Sequence, residues 1–208
     1  MLSANALKLL ACGFMLIDHA GILLFPKIKL MRIIGRLAFP VFAFFIAEGC
    51  RHTRSKLKHV LSVFVLGAVC QTAYVIYSGV WLMNILLTFS VSILLIYLLQ
   101  NCVKKRSAQA WIVFAAALAG VYTLTCYVDF DYGFTGIIAP LFAVIPDCFN
   151  IEIKHNSELS SAVAPIKLGF FTLGIMLTCT NALLGKLQFY ALLSILLLAV
   201  LRCLPIPA

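Results

Sequence analysis

The stretch Leu7–Phe25, LKLLACGFMLIDHAGILLF, decides how this chain is read. It is close to the roughly 20 apolar residues that a helix needs to cross a bilayer. Its polar pair, Asp18 and His19, lies inside the run, which passes into the basic segment Pro26-Lys27-Ile28-Lys29 without a small-residue cleavage pattern. A cleavable signal peptide has neither feature, so the stretch reads as a retained first membrane helix.

The rest of the chain extends that reading. Of 208 residues, 63% are hydrophobic and 11% are charged, with a mean hydropathy of +1.08. Soluble domains carry roughly 25% charged residues. Apolar runs bounded by charge, Gly and Pro give spans near 7–25, 33–50, 58–78, 81–100, 108–128, 133–149, 163–184 and 187–204. The expected architecture is therefore all-α, a polytopic membrane bundle of about eight transmembrane helices in a single integral-membrane domain, 1–208. The connections are short except for Asn150–Ser161, which is expected to be an exposed loop.

The net charge of +9 lies in the loops between spans, where membrane topology explains it and nucleic-acid binding is not needed. With the N-terminus in the cytoplasm of a cell membrane, eleven basic residues fall inside: Lys8, Arg51, Arg54, Lys56, Lys58, Lys104, Lys105, Arg106, Lys154, Lys167 and Arg202. Five remain outside, Lys27, Lys29, Arg32, Arg36 and Lys186. Four of those crowd the first outer loop against the bias, which marks that loop for function. The eight cysteines are scattered about one per helix without a C-x-x-C pair, so neither a disulfide framework nor a metal site is expected.

Ionisable groups inside a membrane are costly and stand as functional candidates by default. Asp18 and His19 point about 100° apart on helix 1 and do not bond each other within the helix. Asp18 is expected to pair with a cation on another helix, and Arg36, one turn inside helix 2, is the available one. Pro40 cannot donate to the carbonyl of Arg36, so helix 2 should bend there. Asn84, Tyr132-Gly133 and Gly136 reach the same outer layer, with Gln71 and Tyr74 behind them. Toward the cytoplasm, Lys8 lies eleven residues before His19, on about one helical face and roughly 16 Å away. Arg51 and Arg54 form a fork suited to phosphate, or serve only as topology signals.

Met15-Leu16-Ile17-Asp18-His19, Gly35-Arg36-Leu37-Ala38-Phe39-Pro40-Val41-Phe42, Arg51-His52, Asn84-Ile85-Leu86 and Tyr132-Gly133-Phe134-Thr135-Gly136 occur in that order. Together they resemble the TraX family, membrane proteins associated with acetylation of conjugative pilin. Relatives often close on an aromatic segment followed by His; here Phe189-Tyr190 is followed by Ala191-Leu192-Leu193. Lys8 with His19, and Arg51 with Arg54, are more distantly similar to elements of integral-membrane acyltransferases that acetylate sugars.

The resemblance implies acyl transfer from acyl-CoA, with acetyl-CoA as donor and no metal. Lys8, Arg51 and Arg54 would hold the nucleotide end of the donor, and His19 would act as base. Asp18 and Arg36 would fix the geometry, and Asn84 or Tyr132 would donate to the oxyanion. The acceptor would be a membrane-inserted pilin N-terminus or an envelope glycan. Two other classes fit the same residues: a small transporter or channel using Asp18, His19 and Arg36, and a non-catalytic pilus or envelope assembly factor.

Overall fold

A computed structural model describes residues 4–25, 27–79, 81–153, 157–179, 190–195 and 198. Eight helices follow one another: α1 (Ala4–Leu23), α2 (Lys29–Gly35), α3 (Ala38–His52), α4 (Lys56–Ser78), α5 (Ile85–Lys105), α6 (Ala108–Tyr127), α7 (Gly133–Ile153) and α8 (Ser157–Cys179). Among the described residues there is no strand, only an isolated bridge between Met83 and Phe130.

The layout follows from lipid as solvent. Among the described residues five segments are long and apolar enough to cross a membrane, and α7 and α8 each hold a shorter apolar stretch. α3, α5 and α7 pack on one another at the centre, around Phe39, Val41, Phe89, Ile93, Ile96 and Ile137. α6 has no buried residue at all. Leu9, Leu16, Leu57, Ile76, Ile112 and Tyr127 stand exposed on the outer helices, a surface that hydrocarbon suits and water does not. Inside, Ser92 Oγ reaches Thr88 O at 3.0 Å on its own helix and Ile137 O at 2.7 Å on α7. Such a bond between membrane helices contributes about 0.6 kcal/mol.

Two expectations change, and a third falls mostly outside the described residues. The single helix 33–50 is two helices, interrupted at Arg36-Leu37, although both residues keep right-handed helical dihedrals. The ladder shortens there, with Leu37 N–H donating to Ile34 O at 3.1 Å. Pro40 then falls in the first turn of α3, where a missing N–H has no helical partner to lose. The expected loop Asn150–Ser161 is largely helical: α7 continues to Ile153 and α8 begins at Ser157. Of the span expected at 187–204, only 190–195 and 198 are described, and the rest lies outside the described residues.

Candidate functional site

The α1–α2, α4–α5 and α6–α7 connections meet at one end of the bundle, here the Tyr132 end. Met83 ties two of them together, donating to Asp129 O at 2.8 Å and accepting from Asp131 N–H at 2.9 Å. α1 and α2 close on each other where Asp18 abuts Gly35. A Cβ on Gly35 would stand 2.2 Å from Asp18 Cβ, so only glycine admits the carboxylate at that depth.

Arg36, next in sequence, is buried, and its guanidinium lies 5.4 Å from the centroid of the Tyr132 ring. The ring stacks on Phe39 with centroids 4.0 Å apart, and Phe39 lies in turn against Phe89. Tyr132 holds this place with φ at +65°, a conformation that bulky residues rarely adopt and that is associated with functional sites. A Cβ on Gly136 would come within 2.3 Å of Tyr132 Cβ, so the strained turn needs that glycine as well.

Asp18 and Arg36 do not form the direct ion pair expected of them. Asp18 Oδ1 and Arg36 Nε are both buried without a hydrogen-bond partner. One is an acceptor wanting a donor and the other a donor wanting an acceptor.

His19 is exposed, and its Nδ1 lies 2.8 Å from Met15 O. A carbonyl only accepts, so Nδ1 carries the proton and the basic lone pair of the neutral ring is on Nε2. Lys8, Cys12, Leu16 and His19 are all exposed and recur at helical spacing, so they form one stripe along α1. The shared face of Lys8 and His19 is therefore present. The ammonium of Lys8 rests 5.2 Å over the Phe45 ring of α3.

Asp131 belongs to this end although the sequence reading passed it over. Burial pushes its carboxyl up to about 6, and Asp18 adds to the rise, while the charges of Arg36 and His19 oppose it. Its signal in the sequence was its place next to Tyr132-Gly133.

Asn84 has a different occupation. Its Oδ1 accepts from Leu86 N–H and Leu87 N–H, both at 3.1 Å, capping α5. Its Nδ2 donates to Gly67 O at 2.8 Å, and its own N–H is held by Gln71 Oε1 at 2.8 Å. With both amide atoms tied to backbone, the side chain acts as a helix cap joined to α4, in place of the oxyanion donor expected. Asn84→Ala should lower stability by about 1–2 kcal/mol, the cost of a lost cap, read as a fall in thermal midpoint in detergent.

The opposite end, here the Lys167 end, carries a second polar layer. Lys167, only 2% exposed, donates to Glu48 Oε1 and, at 2.5 Å, to Asp147 Oδ2. Arg51 reaches Asp147 Oδ1 at 3.5 Å and Glu48 Oε2 at 3.9 Å, and His52 Nε2 lies 3.6 Å from Glu48 Oε2. Arg51 is thus partly engaged within the protein, while Arg54 is exposed. Among the described residues no cluster of His, Cys, Asp and Glu is arranged to hold a metal ion.

A family model described as TraX protein matches residues 3–203. The chain belongs to the TraX family. It is 26% identical over 178 residues to the uncharacterized protein RP591 of Rickettsia prowazekii, a match covering 85% of this chain and 69% of the relative. It is 32% identical over 76 residues to the probable fimbrial assembly protein FimC, serogroup H1, of Dichelobacter nodosus, covering 35% of this chain and 31% of the relative. No solved structure matches. This TraX chain therefore has one end rich in unsatisfied polar groups and another whose charges are mutually paired.

Proposed function

We propose that this TraX protein is a membrane acyltransferase in pilus or envelope biogenesis, moving an acetyl group from acetyl-CoA to an acceptor across the membrane. The observation that carries the reading is the 2.8 Å contact of His19 Nδ1 with Met15 O, which leaves Nε2 as the base on an exposed stripe of the same helix whose Asp18 Oδ1 is buried without a partner. Family membership and the likeness to a fimbrial assembly protein support the pilus connection.

In this mechanism the N-terminus is cytoplasmic, and the phosphates of CoA rest on Arg54, Arg51 and Lys8. The thin pantetheine arm follows the α1 stripe through Cys12 and Leu16 to His19, roughly 16 Å along the helix. Nε2 of His19 takes the proton of the attacking amine or hydroxyl as the new acyl bond forms and the thiolate of CoA leaves. Arg36 Nε donates to the oxygen on which negative charge develops, in a site shielded from water, with Tyr132 fixing the guanidinium. Asp18 accepts a hydrogen bond from the incoming acceptor. A pilin N-terminus inserted in the membrane, or an envelope glycan, approaches from the Tyr132 end.

The test is incubation of the purified protein with labelled acetyl-CoA and membranes of a strain lacking it, followed by mass spectrometry of envelope proteins and glycans. Label appearing on a pilin or glycan only with the protein present is the expected result; no label on any component overturns the reading. Arg54→Gln should raise the donor KM about tenfold, the worth of one charge-assisted hydrogen bond, and leave the acceptor KM unchanged. An unchanged donor KM would return Arg54 to a topology signal.

A further inference from the structure

The outer wall of the bundle carries a groove of about 640 Å³ between α4 and α5, almost wholly apolar, running from Val60 to Met83 and Phe130 at the Tyr132 end. Its floor rises through Val60, Phe64 and Ala68 on α4, and Val91 and Leu94 form the facing wall on α5. From Val60 to Val75 the α4 side climbs roughly 22 Å, more than one leaflet of a hydrocarbon core about 30 Å thick.

What distinguishes the groove from an ordinary lipid-facing seam is how it ends. Lys56 stands one helical turn before Val60, on the same stripe of α4. Tyr97 stands three residues beyond Leu94, on the same stripe of α5. Neither lines the groove itself, but about one turn beyond its end the ammonium of Lys56 lies 4.9 Å from the centroid of the Tyr97 ring. His59 Nδ1 lies 2.9 Å from the Tyr97 hydroxyl and fixes its position. Lys58 and Arg54 are exposed nearby, and among the described residues no carboxylate forms an ion pair with Lys56, Lys58 or Arg54. An apolar channel with a cation that no carboxylate pairs one turn beyond its end complements an amphiphile with a hydrocarbon tail and an anionic head.

We infer that this groove binds one anionic phospholipid, its acyl chain lying along Val60, Phe64 and Ala68 and its phosphate meeting Lys56 at the rim formed with Tyr97 and His59. The tail supplies most of the binding through buried apolar surface. The lysine supplies selectivity for a negatively charged head group, at about 1 kcal/mol, or roughly fivefold. The site shares no residue with the proposed transfer mechanism except the neighbouring Arg54, so the two readings stand or fall separately.

Full-length protein in detergent would be titrated with dioleoyl phosphatidylglycerol and dioleoyl phosphatidylcholine, bound lipid being counted by native mass spectrometry. Wild type should retain phosphatidylglycerol about fivefold better than phosphatidylcholine. Lys56→Gln should erase that preference and leave phosphatidylcholine retention unchanged. Ala68→Trp, which fills the channel, should lose both lipids, and Thr72→Trp at the same lining gives a second obstruction should Ala68→Trp fail to fold. Tail-free glycerol phosphate should not displace the bound lipid. Equal retention of the two lipids by wild type, an unaltered preference in Lys56→Gln, or displacement by glycerol phosphate would each overturn the assignment. So would a photoreactive residue at Phe64 that captures a polypeptide in cells and no lipid, since the occupant would then be a partner helix.

Discussion

Replacing His19 with alanine is expected to leave a folded, inserted protein in which the proposed transfer is slower by at least about 10²-fold, the lower range of what a positioned general base contributes. The stability half of this expectation follows from exposure. His19 is exposed, and its side chain bonds to Met15 O in its own helix, so its loss falls in the range of surface substitutions, within about 0.5 kcal/mol. The rate half follows from the tautomer. With Nδ1–H committed to the carbonyl, Nε2 is the nitrogen able to accept a proton, and alanine offers no substitute. His19→Gln is the sharper control, because it restores polarity and not basicity and should be as inactive as His19→Ala. The two measurements are labelled acetyl transfer and the thermal midpoint in detergent. A fully active His19→Ala protein would remove the base and favour the assembly-factor reading. Ion flux in liposomes without CoA, abolished in the same variant, would favour the channel.

What the sequence made legible depended on how local the determining physics was. Membrane residence followed from composition, and the Lys8–His19 stripe from the 3.6-residue period, because each needs only one helix. Pro40 announced a weakness in the second span, and the ladder does shorten at Arg36-Leu37. That the break would leave Pro40 in a first turn depended on where α3 restarts, which tertiary packing decides. Asn84 shows a local signal misread. An Asn directly before the apolar run Ile85-Leu86-Leu87 is a helix-start signature, and the cap outranks the catalytic role given to it. Asp131 had only its place next to Tyr132-Gly133 as a signal, and the Glu48–Asp147–Lys167 layer had none of its own, since its meaning lies in which helices become neighbours. Lys167 is 20 residues from Asp147 and 119 from Glu48 along the chain. One clue was available: the chain has only seven acidic residues, and four of them, Asp18, Glu48, Asp131 and Asp147, turn out to form the two polar layers.

Lys167→Met should be the most destabilising single substitution considered, costing about 3–5 kcal/mol. Lys167 is buried on α8 between carboxylates from α3 and α7, so its ammonium neutralises two charges at the junction of three helices. Methionine preserves much of the volume and removes the cation, leaving Glu48 and Asp147 facing each other where water is scarce. Arg51, 3.5 Å from Asp147, compensates only in part because its own side chain is half exposed. Removing one partner of a buried ionic group is what carries the cost; removing the whole group often does not. The triple variant Lys167→Met, Glu48→Gln, Asp147→Asn should therefore recover most of the loss, a non-additivity expected of residues in direct contact. Thermal midpoints of the single, double and triple variants in detergent measure it, and a single Lys167→Met variant within about 1 kcal/mol of wild type would show that the carboxylates find water or protons instead. Mutually paired charges thus hold α3, α7 and α8 together at the Lys167 end, in contrast to the Tyr132 end, where Asp18 Oδ1 and Arg36 Nε are buried without a hydrogen-bond partner.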